Sequence, residues 1–292
     1  MVSRQVRNKM EVAETIESVR AAVMAARGKG KTIGLVPTMG ALHIGHISLI
    51  EAAVKKCGFV VVSIFVNPTQ FGPCEDFEKY PRPFEADLDI CRKAGVNLVF
   101  APRQEQMYPG ENLTWVNVEK LTEPLCGKSR PGHFRGVTTV CAKLFNIVRP
   151  DVAFFGQKDA QQAIIIKRMV ADLNMPLEID ICPTIREPDG LAVSSRNQYL
   201  DKQQRQDAAY IYKSIEKCRK MVNAGKVETS ELIEEMKKVL LKQPSIEIEY
   251  IGIVDPETLE AAERISGKVL VAVAVRLGPG RLIDNILIDT KK

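Results

Sequence analysis

The sequence has few of the residues that commonly build metal centres or disulfide frameworks. Its 292 residues include three histidines and seven cysteines, and no two cysteines stand at C-x-x-C spacing. Zinc sites usually draw on such closely spaced ligands, so a zinc centre is not expected. The odd number of isolated cysteines indicates reduced thiols, which are typical of the cytoplasm.

Long apolar runs and blocks of like charge are also missing. The longest apolar stretches, Phe59–Val66 and Val269–Val275, fall far short of the about 20 residues that cross a bilayer. The segment Met1–Glu11 is polar and has no signal-peptide core. Lys and Arg number 41 against 36 Asp and Glu, a formal charge of +5 that is dispersed along the chain. We therefore expect a cytoplasmic protein whose partners include neither a membrane nor a nucleic acid.

Apolar residues make up 45% of the chain, which is enough to bury a sizeable core. Up to residue 184, strand-like segments alternate with segments of helical periodicity, which predicts βαβ units and a doubly wound parallel sheet. The predicted strands are Thr32–Pro37, Phe59–Val66, Asn97–Ala101, Val152–Gly156 and Leu177–Cys182. The predicted helices are one marked by Val12, Ile16, Val19 and Val23, then Ile47–Lys56, Glu85–Ala94, Val137–Val148 and Ala160–Leu173.

The character of the sequence changes after residue 184. Two long helices are predicted, and three strands follow them; the segments are Gln203–Asn223, Thr229–Lys242, Ile246–Val254, Val269–Arg276 and Leu282–Asp289. Helices followed by a run of strands indicate a smaller α+β domain. We predict a Rossmann-like α/β domain over residues 1–184 and a C-terminal α+β domain over residues 185–292.

The strongest functional pattern is Met39–His46 (MGALHIGH), which follows the first predicted strand and opens a helix. In a doubly wound sheet, ligands bind at the carboxyl ends of the strands, where helix N-termini offer N–H groups to phosphates. Gly45 permits a close approach of a nucleotide to the backbone. His43 and His46 share one side of the first helical turn, where each can donate to phosphate oxygens. The alternative is a pair of surface histidines at a helix start.

Two further patterns contain side chains that suit phosphate charge. Lys158, in Phe155–Asp159 (FGQKD), closes a strand and opens a helix. Asp159 has two alternatives, a contact to Mg²⁺ or an ordinary helix cap. The segment Ser194–Arg196 offers two hydroxyls and a guanidinium that can clamp a triphosphate, or it forms an ordinary polar loop.

Other polar residues leave two interpretations open. Asn67 and Gln70 follow the most apolar strand and suit a small polar substrate, or they form a Pro-containing turn. The segment Arg130–Gly136 (RPGHFRG) suggests contact with an anion, or a rigid loop with solvated charges. Asp87 and Asp89 are either metal contacts or solvated helix positions.

The first motif resembles the HxGH signature of the nucleotidylyltransferase superfamily, which class I aminoacyl-tRNA synthetases share. The combination of MGALHIGH, FVNPTQF, KYPR, RPGHFRGV, FGQKDAQQ and IREPDGLAVSSRN is more specific, because these segments resemble pantothenate synthetases in order and spacing. The resemblance runs from about Thr32 to Leu282–Asn285. Two departures are mild: Gln157 stands where many members of that family have Glu, and Val193, where many have Met, would alter the contact with adenine.

The resemblance implies a set of site residues. ATP is expected against Met39, Gly40, Ala41, Leu42, His43, Ile44, Gly45, His46, Gly156, Gln157, Lys158, Asp159, Ile185, Val193, Ser194, Ser195 and Arg196. Pantoate is expected against Gln70 and Gln162, with Gln70 also near the β-alanine position. His46 occupies the family's proton-donor position, and catalytic roles are expected for His46, His43, Lys158, Ser194, Ser195 and Arg196.

The resemblance also implies an activity. Pantoate would attack the α-phosphorus of ATP and expel pyrophosphate, and the pantoyl adenylate would then acylate β-alanine to give pantothenate and AMP. It implies Mg²⁺, whose protein ligands are unknown from the sequence, a homodimer, and a C-terminal domain that helps to close the site.

Two other functions remain open on the residues alone. A cytidylyltransferase or a fragment of an aminoacyl-tRNA synthetase would share the HxGH motif, although the second needs an RNA-binding surface and no basic stripe is present. A nucleotide-binding regulatory module without catalysis would share it as well. The intact histidines, lysine and serine loop argue against such a module.

Overall fold

The computed structural model describes residues 10–73 and 75–290. The polar stretch before residue 10 and Cys74 lie outside these described residues. The chain divides into two compact units. Unit 1 comprises Met1–Asn117, Arg135–Phe155 and Met169–Cys182, and unit 2 comprises Val118–Phe134, Gly156–Arg168 and Pro183–Lys292.

Strands and helices alternate through most of the chain, as the sequence predicts. In chain order they are β1 (Glu11–Ala13), α1 (Ile16–Arg27), β2 (Ile33–Thr38), α2 (Ile44–Lys56), β3 (Phe59–Ile64), α3 (Phe84–Ala94), β4 (Leu98–Phe100), α4 (Gln104–Met107), α5 (Cys126–Ser129), α6 (His133–Val148), β5 (Val152–Gly156), α7 (Ala160–Asp172), β6 (Glu178–Cys182), α8 (Lys202–Asn223), α9 (Thr229–Leu240), β7 (Ile246–Val254), β8 (Lys268–Leu277) and β9 (Gly280–Asp289). Short 3₁₀ turns lie at Pro68–Gln70, Gln157–Asp159 and Ser195–Tyr199.

Unit 1 is built on a six-stranded sheet of order β1-β4-β3-β2-β5-β6. Pairing is parallel between β1 and β4, β4 and β3, β3 and β2, and β2 and β5. The strand order proceeds from β2 towards β4 on one side and from β5 towards β6 on the other. The sheet therefore has a topological switch point between β2 and β5, and ligands of such sheets bind outside the carboxyl ends of the strands at this point.

The interior strand β3 shows why this sequence forms a parallel sheet. Val60, Val61 and Val62 are at most 1% exposed, which requires cover on both faces of the sheet. On one face, Val60 and Val62 belong to an apolar cluster with Ile50 of α2 and Leu88 of α3. The continuous apolar run thus matches a strand covered by helices rather than one with a solvated face.

Unit 2 contains an antiparallel sheet of order β7-β8-β9 with helices α8 and α9. Every residue of β8 from Val269 to Val275 is buried. Ile211 of α8, Leu232 of α9 and Val271 of β8 belong to the same apolar cluster. The helices therefore bury their apolar faces together with the central strand.

The doubly wound sheet and the smaller α+β part are confirmed. Strand β1 is not among the predicted elements. The prediction that Val12 belongs to the first helix is wrong, because Val12 lies in this three-residue strand, where it is 45% exposed, and the helix begins at Ile16. The domain division at 184/185 stays a prediction; it falls close to the end of unit 1 at Cys182, whereas residues 118–134 and 156–168 also belong to unit 2. In the described part of the chain, no helix combines the length and apolarity needed to cross a membrane.

Candidate active site

The MGALHIGH motif connects β2 to α2. Strand β2 ends at Thr38, Met39–Leu42 form a short connection, and α2 begins at Ile44 with His43 as its N-cap. The motif thus forms the first turn of the helix, as the sequence predicts, and the helix begins three residues before the periodic segment Ile47–Lys56. The motif lies at the carboxyl end of β2, beside the switch point of the sheet.

His43 and His46 cap α2 through their ring nitrogens. The Nδ1 of His43 accepts a hydrogen bond from the N–H of Gly45 at 3.1 Å, and the Nδ1 of His46 accepts from the N–H of His43 at 3.3 Å. A ring nitrogen that accepts cannot carry the proton, so each neutral imidazole is protonated on Nε2. The ring centroids lie 4.1 Å apart. The first turn of α2 therefore carries two Nε2–H donors, at a helix end whose dipole also favours anions.

Gly45 is required by the ring of His43. A Cβ atom at position 45 would lie 2.9 Å from Cε1 and 3.0 Å from Nδ1 of His43. These distances are too short for carbon contacts, so any larger residue would displace the ring. The sequence pattern explains Gly45 by the close approach of a nucleotide. The structure adds a second explanation, since only glycine leaves room for the ring of His43.

Asp87 of α3 holds the connection between β2 and α2. Its side chain is buried, and its two oxygens accept hydrogen bonds from the N–H groups of Ala41 at 2.9 Å and Leu42 at 2.7 Å. Gly40 and Ala41 have left-handed φ angles of 82° and 51°, so this turn needs external support. Burial raises the pKa of Asp87, and the two main-chain hydrogen bonds oppose that shift. Asp87 is therefore not a solvated helix position.

A cleft of about 380 Å³ opens at the carboxyl ends of β2, β3 and β4. Residues that follow each of these strands line it, among them Met39, Phe65 and Ala101. Arg82 also lines the cleft, but its guanidinium donates to main-chain carbonyls of Phe77 and Tyr80 at 3.0 Å. The cleft lies at the carboxyl edge of the sheet, on the β3 and β4 side of the switch point.

Gln70 is held by Asn67. The Nδ2 of Asn67 donates to Oε1 of Gln70 at 3.1 Å, and Nε2 of Gln70 contacts Sδ of Met39 at 3.2 Å. Asn67 is only 1% exposed, and its Oδ1 also accepts from the hydroxyl of Tyr108 at 2.9 Å. Asn67 is thus a buried residue that holds the side chain of Gln70. Tyr108 was not singled out in the sequence, since its role depends on a contact across 41 residues.

Within unit 2, several predicted site residues line one cavity of about 90 Å³. Its charged side chains are Arg130, Lys158, Asp159, Arg196, Arg281 and Asp284. Four are basic and two are acidic, an excess that favours an anionic ligand. Gln162 and Ser194 also line this cavity, as does His133, whose Nε2 lies 2.9 Å from Nη1 of Arg130.

Lys158 lies in the 3₁₀ turn Gln157–Asp159, which Asn285 of β9 holds in place. The Nδ2 of Asn285 donates to the carbonyls of Gln157 at 3.0 Å and Lys158 at 2.8 Å. Its Oδ1 accepts from Nε2 of Gln157 at 2.9 Å. A glutamate at position 157 could not donate this last hydrogen bond. Gln157, which stands where many members of the family have Glu, is therefore matched by Asn285 as its hydrogen-bond acceptor.

The loop that contains Ser194 and Arg196 is organised by local hydrogen bonds. The Oγ of Ser194 accepts from the N–H of Arg196 at 3.3 Å and opens the turn Ser195–Tyr199. The N–H of Val193 donates to the carbonyl of Ile185 at 3.0 Å. Ile185 and Val193, both expected against ATP, are thus neighbours in space.

Gln161 and Gln162 have different positions. Gln161 is buried, and its amide bonds to the main chain of Leu121, Pro124 and Cys126 at 2.8–3.0 Å. It therefore fixes the segment before α5, whereas Gln162 lines the cavity.

Arg281 is a cavity residue that the sequence patterns did not indicate. It donates to Glu249 at 2.7 Å through Nη2 and at 3.0 Å through Nε. Burial opposes the charge of both groups, yet their hydrogen bonds raise the pKa of Arg281 and lower the pKa of Glu249. The one sequence feature that could have indicated Arg281 is its place as a charged residue at the start of β9. Among the described residues, no group of three or more His, Cys, Asp or Glu could hold a metal ion.

A parallel sheet with a histidine-capped helix at its switch point is the architecture of HxGH nucleotide-binding enzymes, and the basic cavity of unit 2 agrees with nucleotide phosphates as ligands. The family described as pantoate-beta-alanine ligase matches residues 11–287. The chain belongs to this family, whose members are ATP-dependent ligases that join pantoate to β-alanine to give pantothenate.

Individual relatives agree with this assignment over almost their whole length. The pantothenate synthetase of Moorella thermoacetica is 54% identical over 280 residues, which span 96% of this chain and 99% of the relative. The crystal structure of pantothenate synthetase from Thermus thermophilus matches with a TM-score of 0.91 at 43% identity, covering 95% of this chain and 99% of that one. Pantoate-beta-alanine ligase from Francisella tularensis, complexed with beta-gamma ATP and β-alanine, matches with a TM-score of 0.80 at 34% identity, covering 97% and 99%.

Proposed function

We propose that this chain condenses pantoate with β-alanine through a pantoyl adenylate formed from ATP. The observation that carries the proposal is the pair His43 and His46, whose Nδ1 atoms cap helix α2, so that each ring in its neutral form holds its proton on Nε2. The Francisella tularensis relative, complexed with beta-gamma ATP and β-alanine, supports the same ligands for this chain.

In the first step, a carboxylate oxygen of pantoate bonds to the α-phosphorus of ATP. The bond from that phosphorus to the bridging oxygen breaks, and pyrophosphate leaves with the electron pair. Negative charge develops on the phosphate oxygens, and positioned donors stabilise it. His43 and His46 donate hydrogen bonds from their Nε2–H groups to these oxygens, with His46 at the family's proton-donor position, and each neutral ring keeps its proton. Lys158 and Arg196 neutralise the charge of the departing pyrophosphate.

In the second step, the neutral amine of β-alanine attacks the carbonyl carbon of the adenylate. The new C–N bond forms, the C–O bond to AMP breaks with its electron pair on the phosphate oxygen, and the proton lost by the nitrogen balances the charge on the departing AMP phosphate. Gln70 and Gln162 orient pantoate, and Gln70 also lies near the incoming amine. Holding the acyl group and amine in register supplies much of the rate.

ATP binding is assigned to the residues that the resemblance names. They are Met39–His46, Gly156–Asp159, Ile185 and Val193–Arg196. Two observations support part of this assignment. Val193 is hydrogen-bonded to Ile185, and one basic cavity is lined by Lys158, Asp159, Ser194 and Arg196.

Mg²⁺ is proposed to accompany ATP. Magnesium keeps several waters and usually takes phosphate oxygens with one or two carboxylates, so it needs few protein ligands. The carboxylate of Asp159, 47% exposed and 3.7 Å from Nζ of Lys158, suits this role. When bound, Mg²⁺ supplies positive charge to the phosphates of ATP.

A homodimer in the cytoplasm is also proposed. Leu113, at 81% exposure, and Trp115, at 38%, lie two residues apart in unit 1. Apolar side chains exposed together mark interaction surfaces. The six cysteines within the described residues are unpaired, which agrees with a reducing compartment.

The family match favours this function over the other HxGH activities and over a regulatory module without catalysis. Chromatography of a complete reaction tests it. We expect AMP and pyrophosphate in amounts equal to pantothenate, and neither product when pantoate is omitted. ADP and phosphate as stoichiometric products would contradict an adenylate.

A further inference from the structure

Two polar residues, Asp284 and Asn285, stand side by side in the buried part of β9. Asp284 is 2% exposed and Asn285 is 4% exposed, while Leu282 and Ile288 of the same strand belong to an apolar cluster. A buried polar group left without a partner is destabilising, so such groups are normally hydrogen-bonded. The side-chain partners of this pair lie in the two segments of unit 2 that carry the proposed phosphate-binding residues.

The amide of Asn285 is fully engaged by the turn that contains Lys158. Its two N–H donors bond to the carbonyls of Gln157 at 3.0 Å and Lys158 at 2.8 Å. Its oxygen accepts from the side chain of Gln157 at 2.9 Å, which fixes the orientation of the amide. The side chain of Asn285 thus holds the carbonyl of Lys158 and the carbonyl of the residue before it.

Asp284 and Arg186 in turn fix Asn285. The guanidinium of Arg186 donates to Oδ2 of Asp284 at 2.6 Å and to Oδ1 at 2.9 Å. Arg186 also donates to the main-chain carbonyls of Gly190 at 3.0 Å and Asn285 at 3.3 Å, and its guanidinium carbon lies 4.2 Å from the ring centroid of Tyr212. Asn285 is therefore anchored from the segment that leads to the Ser194–Arg196 loop.

We propose that Asn285 is a positioning residue for adenylate formation, acting through the backbone of Lys158. The inference rests on the role proposed above for Lys158 on pyrophosphate charge. A lysine side chain is long and flexible, so the place of its ammonium depends on where its own backbone is held. A shift of roughly 1 Å at such a group can cost about 10² in rate, and the two carbonyl bonds prevent that shift.

Pyrophosphate exchange into ATP, measured with pantoate and Mg²⁺, tests the proposal in Asn285→Ala. We expect the kcat of exchange to fall about 10²-fold, on the scale of a misplaced catalytic group. Synthesis from pre-formed pantoyl adenylate should stay within about threefold of the wild type, because that step does not release pyrophosphate. An exchange rate equal to wild type in a folded Asn285→Ala enzyme would overturn the proposal.

Thr229→Val is the matched control for a purely structural effect. Thr229 is also buried in unit 2, and its hydroxyl lies within hydrogen-bonding distance of two main-chain carbonyls, of Ala262 at 2.6 Å and Glu263 at 2.8 Å. We expect this variant to lose thermal stability and to keep wild-type exchange. A loss of exchange in Thr229→Val as large as in Asn285→Ala would assign both effects to stability alone and overturn the proposal.

A double-mutant cycle with Lys158→Ala separates this inference from the proposed function. If Asn285 acts through Lys158, adding Asn285→Ala to Lys158→Ala should change exchange by less than about twofold. A further large loss in the double variant would overturn the inference alone. Wild-type exchange in Lys158→Ala would overturn the role of Lys158 and with it this inference. Asn285→Ser, a smaller change that keeps one donor, must also lower exchange, so the test holds even if Asn285→Ala does not fold.

Discussion

The ring of His46 serves both the helix and, in our proposal, the reaction. Its Nδ1 accepts the N–H of His43, while its Nε2–H would donate a hydrogen bond to a phosphate oxygen. A side chain that keeps the acceptor and lacks the Nε2–H donor would separate the two roles. Asparagine is such a side chain, because its Oδ1 can take the place of Nδ1.

We expect His46→Asn and His46→Ala both to lose about 10²–10³ in turnover, the scale of one lost transition-state donor. His46→Ala should also lose about 1 kcal/mol of unfolding free energy with the cap, whereas His46→Asn should keep it. Steady-state turnover and denaturant unfolding of both variants measure the two effects. Normal turnover in His46→Asn would refute the proposed role.

Asp87 carries a prediction about stability. In Asp87→Asn, the amide oxygen can accept one of the two N–H groups of Ala41 and Leu42, and the amide N–H₂ faces the other. One buried N–H is then unpaired, which should lower the free energy of unfolding by about 1–3 kcal/mol. Denaturant unfolding near pH 7 measures the loss, and an unchanged midpoint would contradict it.

The pH dependence of that difference has a definite sign. Burial raises the pKa of Asp87 above its ordinary value of 3.8, so the folded state binds the proton more tightly than the unfolded state. The stability of the wild type relative to Asp87→Asn should therefore fall as pH rises from 3.8 through the folded-state pKa, and stay constant above it. A difference that grows with pH over this interval would contradict the shift.

Among the elements, the start of α2 allows a substitution that should lower activity while leaving stability nearly unchanged. Gly45→Ala adds a better helix former, worth up to about 1 kcal/mol, but its Cβ displaces the ring of His43 and weakens the cap. These effects nearly cancel in stability. Turnover should fall at least about tenfold, because the donor on His43 moves. Wild-type turnover in Gly45→Ala would show that the ring position does not matter.

The elements themselves were largely predictable from the sequence. Strand β5 coincides with its predicted bounds, and β3 differs only at its end, because apolar runs in a parallel sheet give a strong local signal. Strand β1 could not be predicted, since three residues give no period and its identity depends on parallel pairing with β4.

The site was predictable only in part. The strand-to-helix junction placed Met39–His46 at the carboxyl end of β2 from local pattern alone. The residues that hold the site were not predictable in this way. Asp87 reaches Leu42 across 45 residues, and Asn285 reaches Lys158 across 127 residues, so their roles depend on tertiary contacts.

At the scale of the whole molecule, we expect a dimer of twice the 32.5 kDa chain mass. Leu113→Asp should shift it towards the monomer, because a charge would be buried in the proposed interface. Leu241→Asp is the matched control, since Leu241 is also an exposed leucine, at 63%. Light scattering at micromolar concentration measures all three proteins. A wild-type mass of 32.5 kDa would contradict the dimer.

In the proposed mechanism, ATP and pantoate react before β-alanine takes part. Pyrophosphate exchange tests it most directly, with labelled pyrophosphate, ATP, Mg²⁺ and pantoate present and β-alanine absent. We expect label to enter ATP, because bound adenylate and pyrophosphate can recombine. Lys158→Ala and Arg196→Ala should depress exchange and overall synthesis together, and pre-formed pantoyl adenylate should restore much of their synthesis; Gln70→Ala should be restored less. Exchange that strictly required β-alanine would contradict the sequential mechanism and indicate a concerted one.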